Sequence, residues 1–325
     1  KFIVNPCGEI VLNVLGGFCV IADVVPYHCS YLEEFEDVCI QATKALIRVN
    51  TMDSIYRGEV SRTNRIGLGL TGLHEWVWYS FGYSWKDITQ GDCWELQHAL
   101  QRVGGLVEGV SEGYSLSLGL TPPHTVTTIK PAGTTSKLFG LTEGCHLPAM
   151  AYYLRWVQFR NDDPLVQDYA DRGYPIKVLK TYEGMTAVGF PTKPTITDLI
   201  PEDQLVTAGE ASMEDQFKWL QLLEENWLGP DKGNQLSYTL KYDPEVTSYE
   251  MFQEMMLKWV PQVRCVSVMP QVDSTAYEYQ PEEPISKEEY ERYMSDISIT
   301  TEDIGLEHVE CGAGGCPIDF TEGDK

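Results

Sequence analysis

Apolar residues recur at helical spacing from Tyr31 to Asn50, where Leu32, Phe35, Val38, Ile40, Ala42, Ala45 and Leu46 form one stripe. Acidic residues lead this segment and Lys44 and Arg48 close it, as the helix dipole favours, so the pattern predicts a helix. A second long helical pattern runs from Asp92 to Ser117, broken softly at Gly104-Gly105, and further helices are predicted over Met213–Leu228, Tyr249–Val260 and Ser286–Ser295. Gly67-Leu68-Gly69-Leu70-Thr71-Gly72 precedes an aromatic-rich stretch through Trp78, and glycine at that density points to close helix packing. The β-branched run Thr125–Ile129 reads as a buried strand, and Tyr152–Phe159, Gln235–Leu240 and Arg264–Met269 as further strands. Alternation of this kind predicts an α/β fold with a largely parallel sheet. After Pro281-Glu282-Glu283-Pro284 the chain turns acidic, and residues 300–325 read as a mobile, glycine-rich tail, dividing the chain into 1–299 and 300–325.

With 325 residues, 43% of them apolar, the chain can bury a large core, and disorder is not its default state. A net charge of −24 argues against general attraction to nucleic acid or anionic membranes, so any phosphate ligand must be held by local groups. No apolar run reaches the roughly 18 residues of a membrane span, and the start Lys1-Phe2-Ile3-Val4 lacks signal-peptide character, so a cytoplasmic location is expected. Nine scattered cysteines form no small-scaffold framework, and any disulfide is expected to be redox-active rather than structural. Because position 1 is Lys and not Met, the chain is expected to be processed, cropped or one piece of something longer.

The most informative string is Asn5-Pro6-Cys7-Gly8-Glu9, in which Pro and Gly force an extended or turning backbone rather than a helix. In an extended segment Asn5, Cys7 and Glu9 share one face, setting an amide, a thiol and a carboxylate side by side. Spacing alone favours a plainer reading, a loop with a free cysteine and a solvated glutamate. Cys19, taken alone, is a buried apolar cysteine, and Cys29, Cys39, Cys93 and Cys265 fall in helical or strand patterns as core residues. Cys311-Gly-Ala-Gly-Gly-Cys316 joins two thiols by a flexible spacer; a zinc site would need two more ligands and only His308 is near, so a redox dithiol is the better reading and no metal is expected. Ala132-Gly133-Thr134-Thr135-Ser136 follows a strand and opens a helix, which makes either an anion site of N–H groups and hydroxyls or a plain Ser/Thr-capped turn. His146, in Gly144-Cys145-His146-Leu147-Pro148, is either close to a ligand or an ordinary surface histidine.

Taken together and in order, these strings resemble the class II, adenosylcobalamin-dependent ribonucleotide reductases, especially the monomeric ribonucleoside-triphosphate type. The resemblance runs from Asn5 to Pro317. It implies that Cys7 is the thiyl radical that takes the 3′ hydrogen of the ribose, Glu9 the base on the 3′ hydroxyl, and Asn5 the amide that orders the hydroxyls. Cys19 would give electrons as half of a dithiol whose partner lies upstream. Cys311 and Cys316 would reduce the resulting disulfide and be reduced in turn by a thioredoxin-like donor. Ala132 to Ser136 would hold the substrate phosphates, with Thr134, Thr135 and Ser136 as contacts, and His146 would stand near the substrate. The implied fold is the second half of a ten-stranded α/β barrel with a central finger loop, plus a flexible C-terminal tail.

Class I large subunits carry adjacent tyrosines on a late strand, whereas Arg264–Pro270 has none and Tyr152-Tyr153 comes too early; Asp273–Glu283 also resembles the class II pattern. These features imply adenosylcobalamin rather than a radical-bearing second subunit. The competing readings are a class I large subunit with a separate radical-generating subunit and an inactive nucleotide-binding regulatory protein; a glycyl-radical enzyme fits less, with no Arg-Gly-Tyr-type site near the C-terminus. Beginning at the finger loop, the chain is expected to need an N-terminal half, as a separate chain or a missing segment, for stable folding and activity. Every role in this reading requires Cys7 to lie close to the hydroxyl-lined turn after Ile129.

Overall fold

The computed structural model describes residues 2–13, 17–52, 54–264, 266–271 and 280–298. The chain opens with β1 (Phe2–Val4), β2 (Val11–Asn13) and β3 (Val20–Val24), followed by helices α1 (Leu32–Asn50) and α2 (Arg57–Thr63). Strand β4 (Ile66–Leu70) leads to α3 (Leu73–Phe81), α4 (Trp85–Gln90) and α5 (Trp94–Ser117), then to β5 (Thr127–Ile129) and the short α6 (Gly133–Leu138). Next come β6 (Tyr153–Arg160), α7 (Pro164–Asp171), β7 (Ile176–Val178), β8 (Met185–Thr192) and α8 (Ile196–Leu199). The last part holds α9 (Met213–Leu223), β9 (Gly233–Leu236), β10 (Thr239–Tyr242), α10 (Tyr249–Trp259), β11 (Ser267–Pro270), β12 (Glu282–Pro284) and α11 (Lys287–Asp296).

These elements form two units. The larger, Lys1–Tyr152 with Lys193–Ala276, is built on a parallel sheet of order β3-β4-β5-β9. Only Ser237 and Tyr238 separate β9 from β10, so one run of chain borders β5 with its first half and pairs in parallel with β11 through its second. The expected strand over 235–240 is thus two strands with an interruption that carries Ser237. Helices α1, α3, α5 and α9 cover the sheet, with Phe35, Ile47, Leu68, Leu70, Leu100, Val103, Phe217 and Trp219 in a common core. The expected break in α5 does not occur. Gly104 instead lets the helix lie against the main chain at Trp227, whose carbonyl a Cβ there would meet at 3.4 Å.

The smaller unit, Tyr153–Thr192 with Tyr277–Lys325, holds an antiparallel sheet of order β12-β6-β8-β7 around Leu154, Trp156, Leu179 and Ala187. The strand expected from Tyr152 belongs here, not to the parallel sheet. Two strands of the parallel sheet, β3 and β4, were not legible as such. All five residues of β4 are buried, so no polar alternation marks it, and its glycines read as a sign of close helix packing. Of the extended and turning backbones that Pro6 and Gly8 allow, Asn5–Glu9 takes the turn: it closes the β1–β2 hairpin, with Gly8 at φ 83°. No described helix is long and apolar enough to cross a membrane. Cys265, the 300–325 tail with Cys311 and Cys316, and most of Asp273–Glu283 lie outside the described residues.

Candidate active site

Side chains alternate along the parallel strands, and the two faces differ sharply. Val20, Ala22 and Val24 of β3 and Ile66, Leu68 and Leu70 of β4 point to the helices and join the core. The opposite face carries Ile21 and Asp23 beside Gly67 and Gly69. A Cβ built on Gly67 would meet Thr128 Cγ2 at 3.0 Å, Ile21 Cγ1 at 3.3 Å and Ile10 Cδ1 at 3.5 Å, and one on Gly69 would strike the carboxylate of Asp23. Gly67 thus leaves room for Ile10 at the end of the hairpin turn, and Gly69 for the carboxylate of Asp23.

That turn is closed by its own groups. The Asn5 N–H donates to the Ile10 carbonyl at 3.1 Å, the Ile10 N–H to Asn5 Oδ1 at 3.1 Å, and the Gly8 N–H to the Asn5 carbonyl at 2.9 Å. It is then clamped to the end of β9 through three consecutive carbonyls. Ser237 Oγ donates to Cys7 O at 2.5 Å, Gln235 Nε2 to Gly8 O at 2.7 Å, and the Gln235 N–H to Glu9 O at 2.8 Å. The Ser237 N–H also donates to the Ile129 carbonyl at 2.8 Å, so one residue ties Cys7 to the strand end from which the Ala132–Ser136 turn departs. This is the carboxyl edge of a parallel sheet, the usual place for a ligand in such folds.

The turn brings Asn5 and Glu9 together: Asn5 Nδ2 donates to Glu9 Oε1 at 2.8 Å. Glu9 is 2% exposed, and its Oε2 is buried without a hydrogen-bond partner among the described residues, while the Cys7 thiol is exposed. Cys19 is half-buried; burial pushes its thiol up to about 12, Arg65 acts against that and Glu9 with it. Asp23 pairs with Lys130 Nζ at 2.8 Å, yet burial still holds its carboxyl above the usual range, and its Oδ1 has no hydrogen-bond partner among the described residues. Glu9 acts on both Asp23 and Cys19, so these groups form one polar cluster. Cys29, Cys39, Cys93 and also Cys145 are buried.

The turn after β5 is only partly as expected. Thr134 and Thr135 are exposed and Gly133 is half-buried. Ser136 is fully buried and its hydroxyl donates to the Ala132 carbonyl at 2.7 Å, so it is occupied inside the turn. Both ring nitrogens of His146 are also engaged. Nδ1 lies 3.0 Å from the Glu143 carbonyl, Nε2 accepts the Thr239 N–H at 3.0 Å, and the ring stacks on Tyr238. This fixes the tautomer with Nδ1 protonated, and burial pushes the imidazole below its ordinary range.

Behind the turn, Glu75 takes both the N–H and the hydroxyl of Thr142, at 2.8 and 2.5 Å, and burial raises its carboxyl. His74 Nε2 and Trp219 Nε1 meet at the Cys145 carbonyl, at 3.2 and 2.8 Å. The sequence reading missed Asp23, Arg65, Lys130, Gln235 and Ser237. The available signal was a polar residue at the inward position of a run otherwise apolar, as Asp23 stands in Val20–Val24.

No family model matches the chain. Among curated proteins, the adenosylcobalamin-dependent ribonucleoside-triphosphate reductase of Levilactobacillus brevis is 27% identical over 97% of this chain, and that of Lactobacillus leichmannii 26% identical over the same share. The matched stretch is 45% of each relative, so the chain spans less than half the length of these proteins and corresponds to their C-terminal part. A crystal structure of a B-12 dependent (class II) ribonucleotide reductase matches with a TM-score of 0.76 at 24% identity, over 93% of this chain and 43% of that one. The class Id ribonucleotide reductase alpha subunit of Actinobacillus ureae matches with a TM-score of 0.54 at 13% identity, over 82% and 53%. The fold is thus shared with ribonucleotide reductases.

Proposed function

We propose that this chain is the C-terminal part of the catalytic polypeptide of an adenosylcobalamin-dependent ribonucleotide reductase, acting on ribonucleoside triphosphates. The observation that carries the reading is the hairpin turn Asn5–Glu9, seated at the carboxyl edge of the parallel sheet and clamped through Ser237 to the strand that feeds the Ser/Thr turn. Its thiol is open and its carboxylate is buried with one free oxygen, which is how a radical sulfur and a base on one sugar need to differ.

The sulfur radical of Cys7 takes the 3′ hydrogen atom of the ribose and returns it to the same carbon once the 2′ hydroxyl has been replaced by hydrogen. Glu9 accepts the 3′ hydroxyl proton on Oε2, while Asn5 holds Oε1 and orders the hydroxyls. Cys19 and a cysteine from the upstream part of the protein supply two electrons and close to a disulfide as the 2′ hydroxyl leaves as water. Cys311 and Cys316 would then reopen that disulfide by exchange and pass their own oxidation to a thioredoxin-like reductant. The exposed Thr134 and Thr135, with the N–H of Gly133, are the groups of the turn that can meet phosphate oxygens. His146, with both nitrogens bonded, supports the turn rather than exchanging protons.

Adenosylcobalamin supplies, when bound, the one-electron chemistry that makes the Cys7 thiol a radical. The atom it must reach is Cys7 Sγ, and the exposure of that thiol fits the requirement. The ten-stranded closure, the N-terminal half as structural partner and the cytoplasmic setting belong to this proposal too. The test is reduction of ribonucleoside triphosphates by the complete protein with adenosylcobalamin and a dithiol. Cys7→Ser should abolish turnover and leave nucleotide binding nearly intact; reduction above background in that variant would exclude Cys7 as the radical site.

A further inference from the structure

Cys19 and Arg65 directly precede β3 and β4, and the parallel register sets Val20 opposite Ile66, so the two residues are neighbours on the ladder. Alternation puts them on the same face as Ile21 and Gly67, which are in contact distance, and as Asp23 and Gly69. Arg65 is held from behind: Asn50 Nδ2 donates to its carbonyl at 3.0 Å and to Asn64 Oδ1 at 3.0 Å, and Asn64 takes a left-handed φ of 44° just before it. The guanidinium Nε is buried and has no hydrogen-bond partner among the described residues. On the other side of Cys19, Phe18 stacks on Tyr56 at 4.7 Å, which restrains the chain from turning the thiol away.

We propose that Arg65 is a positioning residue for Cys19, its guanidinium serving as the counter-charge that stabilises the Cys19 thiolate. A buried sulfur carries negative charge only with such a partner, and a thiolate is the form that leaves a disulfide and attacks one. Among the described residues the sulfur donates to the Val20 carbonyl at 3.6 Å, and the charges that act on it are Arg65 from the start of β4 and Glu9 from the hairpin turn; the Asp23–Lys130 pair lies further along the same face. Glu9 opposes the thiolate, so Arg65 is the group that favours it. The use of this pair in turnover rests on the reading of Cys19 as an electron-donating thiol; the pairing itself does not.

The test is alkylation of the complete, phosphine-reduced protein by iodoacetamide, without nucleotide or cobalamin, followed by peptide mass analysis at Cys19 and at Cys7. The reagent is neutral, so removing a cation does not alter its approach. Arg65→Gln should slow modification of Cys19 about tenfold at a pH below its titration. Arg65→Lys should stay within about threefold of the parent, and Cys7 should react at the parent rate in both. A change under about threefold in Arg65→Gln overturns the proposal. So does a lysine variant as slow as the glutamine one, or a parallel change at Cys7, since either marks a packing effect. Failure of nucleotide reduction would sink the proposed function and leave this result standing.

Discussion

Gly67→Ala tests whether the bare backbone of β4 is what admits the hairpin turn. The added methyl would lie 3.0 Å from Thr128 Cγ2 and 3.3 Å from Ile21 Cγ1, both on β-branched side chains with little rotamer freedom. Thr128 cannot turn without losing its hydroxyl bond to the Gln235 carbonyl at 2.9 Å. The displacement therefore falls on Ile10, 3.5 Å away and only 1% exposed, which anchors the turn. Overpacking of this kind costs about 1–3 kcal/mol, and the lower backbone entropy of alanine in the unfolded chain returns about 0.4–1 kcal/mol. The net loss is about 1–2 kcal/mol, a fall in Tm of several degrees. Gly105→Ala is the internal control, because nothing lies within 4 Å of its added Cβ in the exposed face of α5, and it should raise Tm. Thermal unfolding of both variants is the first measurement. Hydrogen exchange at the Gln235 N–H, which bonds Glu9, is the second and should accelerate only in Gly67→Ala. Unchanged Tm and unchanged exchange in that variant would refute the reasoning.

Two further predictions concern the turn after β5 and the packing behind it. Thr134→Val with Thr135→Val should raise KM for the nucleotide severalfold with little loss of stability, whereas Ser136→Ala should lower Tm, by about 1 kcal/mol in stability, and leave KM unchanged; steady-state kinetics with thermal unfolding separates them, and a KM effect confined to Ser136→Ala would reverse the assignment. Burial holds the His74 imidazole down to about 4 although the Cys145 carbonyl favours its charged form, so the unfolded chain binds a proton below about 6.5 that the folded chain refuses until about 4. Its contribution is therefore complete above that window and lost as pH falls through it, by about 3 kcal/mol at most. Denaturant unfolding from pH 7 to 4 should show a shallower decline in His74→Gln, and an identical slope in both proteins would contradict this account.

The helices were legible because each has one wet face. Leu32–Asn50 and Tyr249–Trp259 appear within a residue or two of the predicted limits, since polar residues mark the side away from the core. The parallel strands were less so. Thr127–Ile129 announced itself by β-branching, but Ile66–Leu70 is enclosed on both faces, and its inward positions are glycines that read as a mark of close helix packing. The strand over 235–240 was visible and its division was not, because what divides it, Ser237 reaching back to Cys7, is a contact between residues far apart in sequence. The roles assigned to Asn5, Cys7, Glu9 and Cys19 came from resemblance of the strings. Their mutual arrangement came from the turn, which Pro6 and Gly8 allowed alongside an extended backbone without deciding between them.

The features that hid the site from periodicity also argue that it is a site. Glu9 Oε2 in the hairpin turn and Asp23 Oδ1 and Arg65 Nε on the sheet face are buried without partners among the described residues, and each such atom costs about 1–3 kcal/mol relative to a satisfied one. A sheet face selected for stability would bear valine and leucine there, as the opposite face of the same strands does. Instead it bears two glycines that remove packing and charged groups that need solvation. Such a face persists because the rest of the large core carries its cost, and its unpaired atoms are those that a polar ligand entering over the Cys7 turn would satisfy.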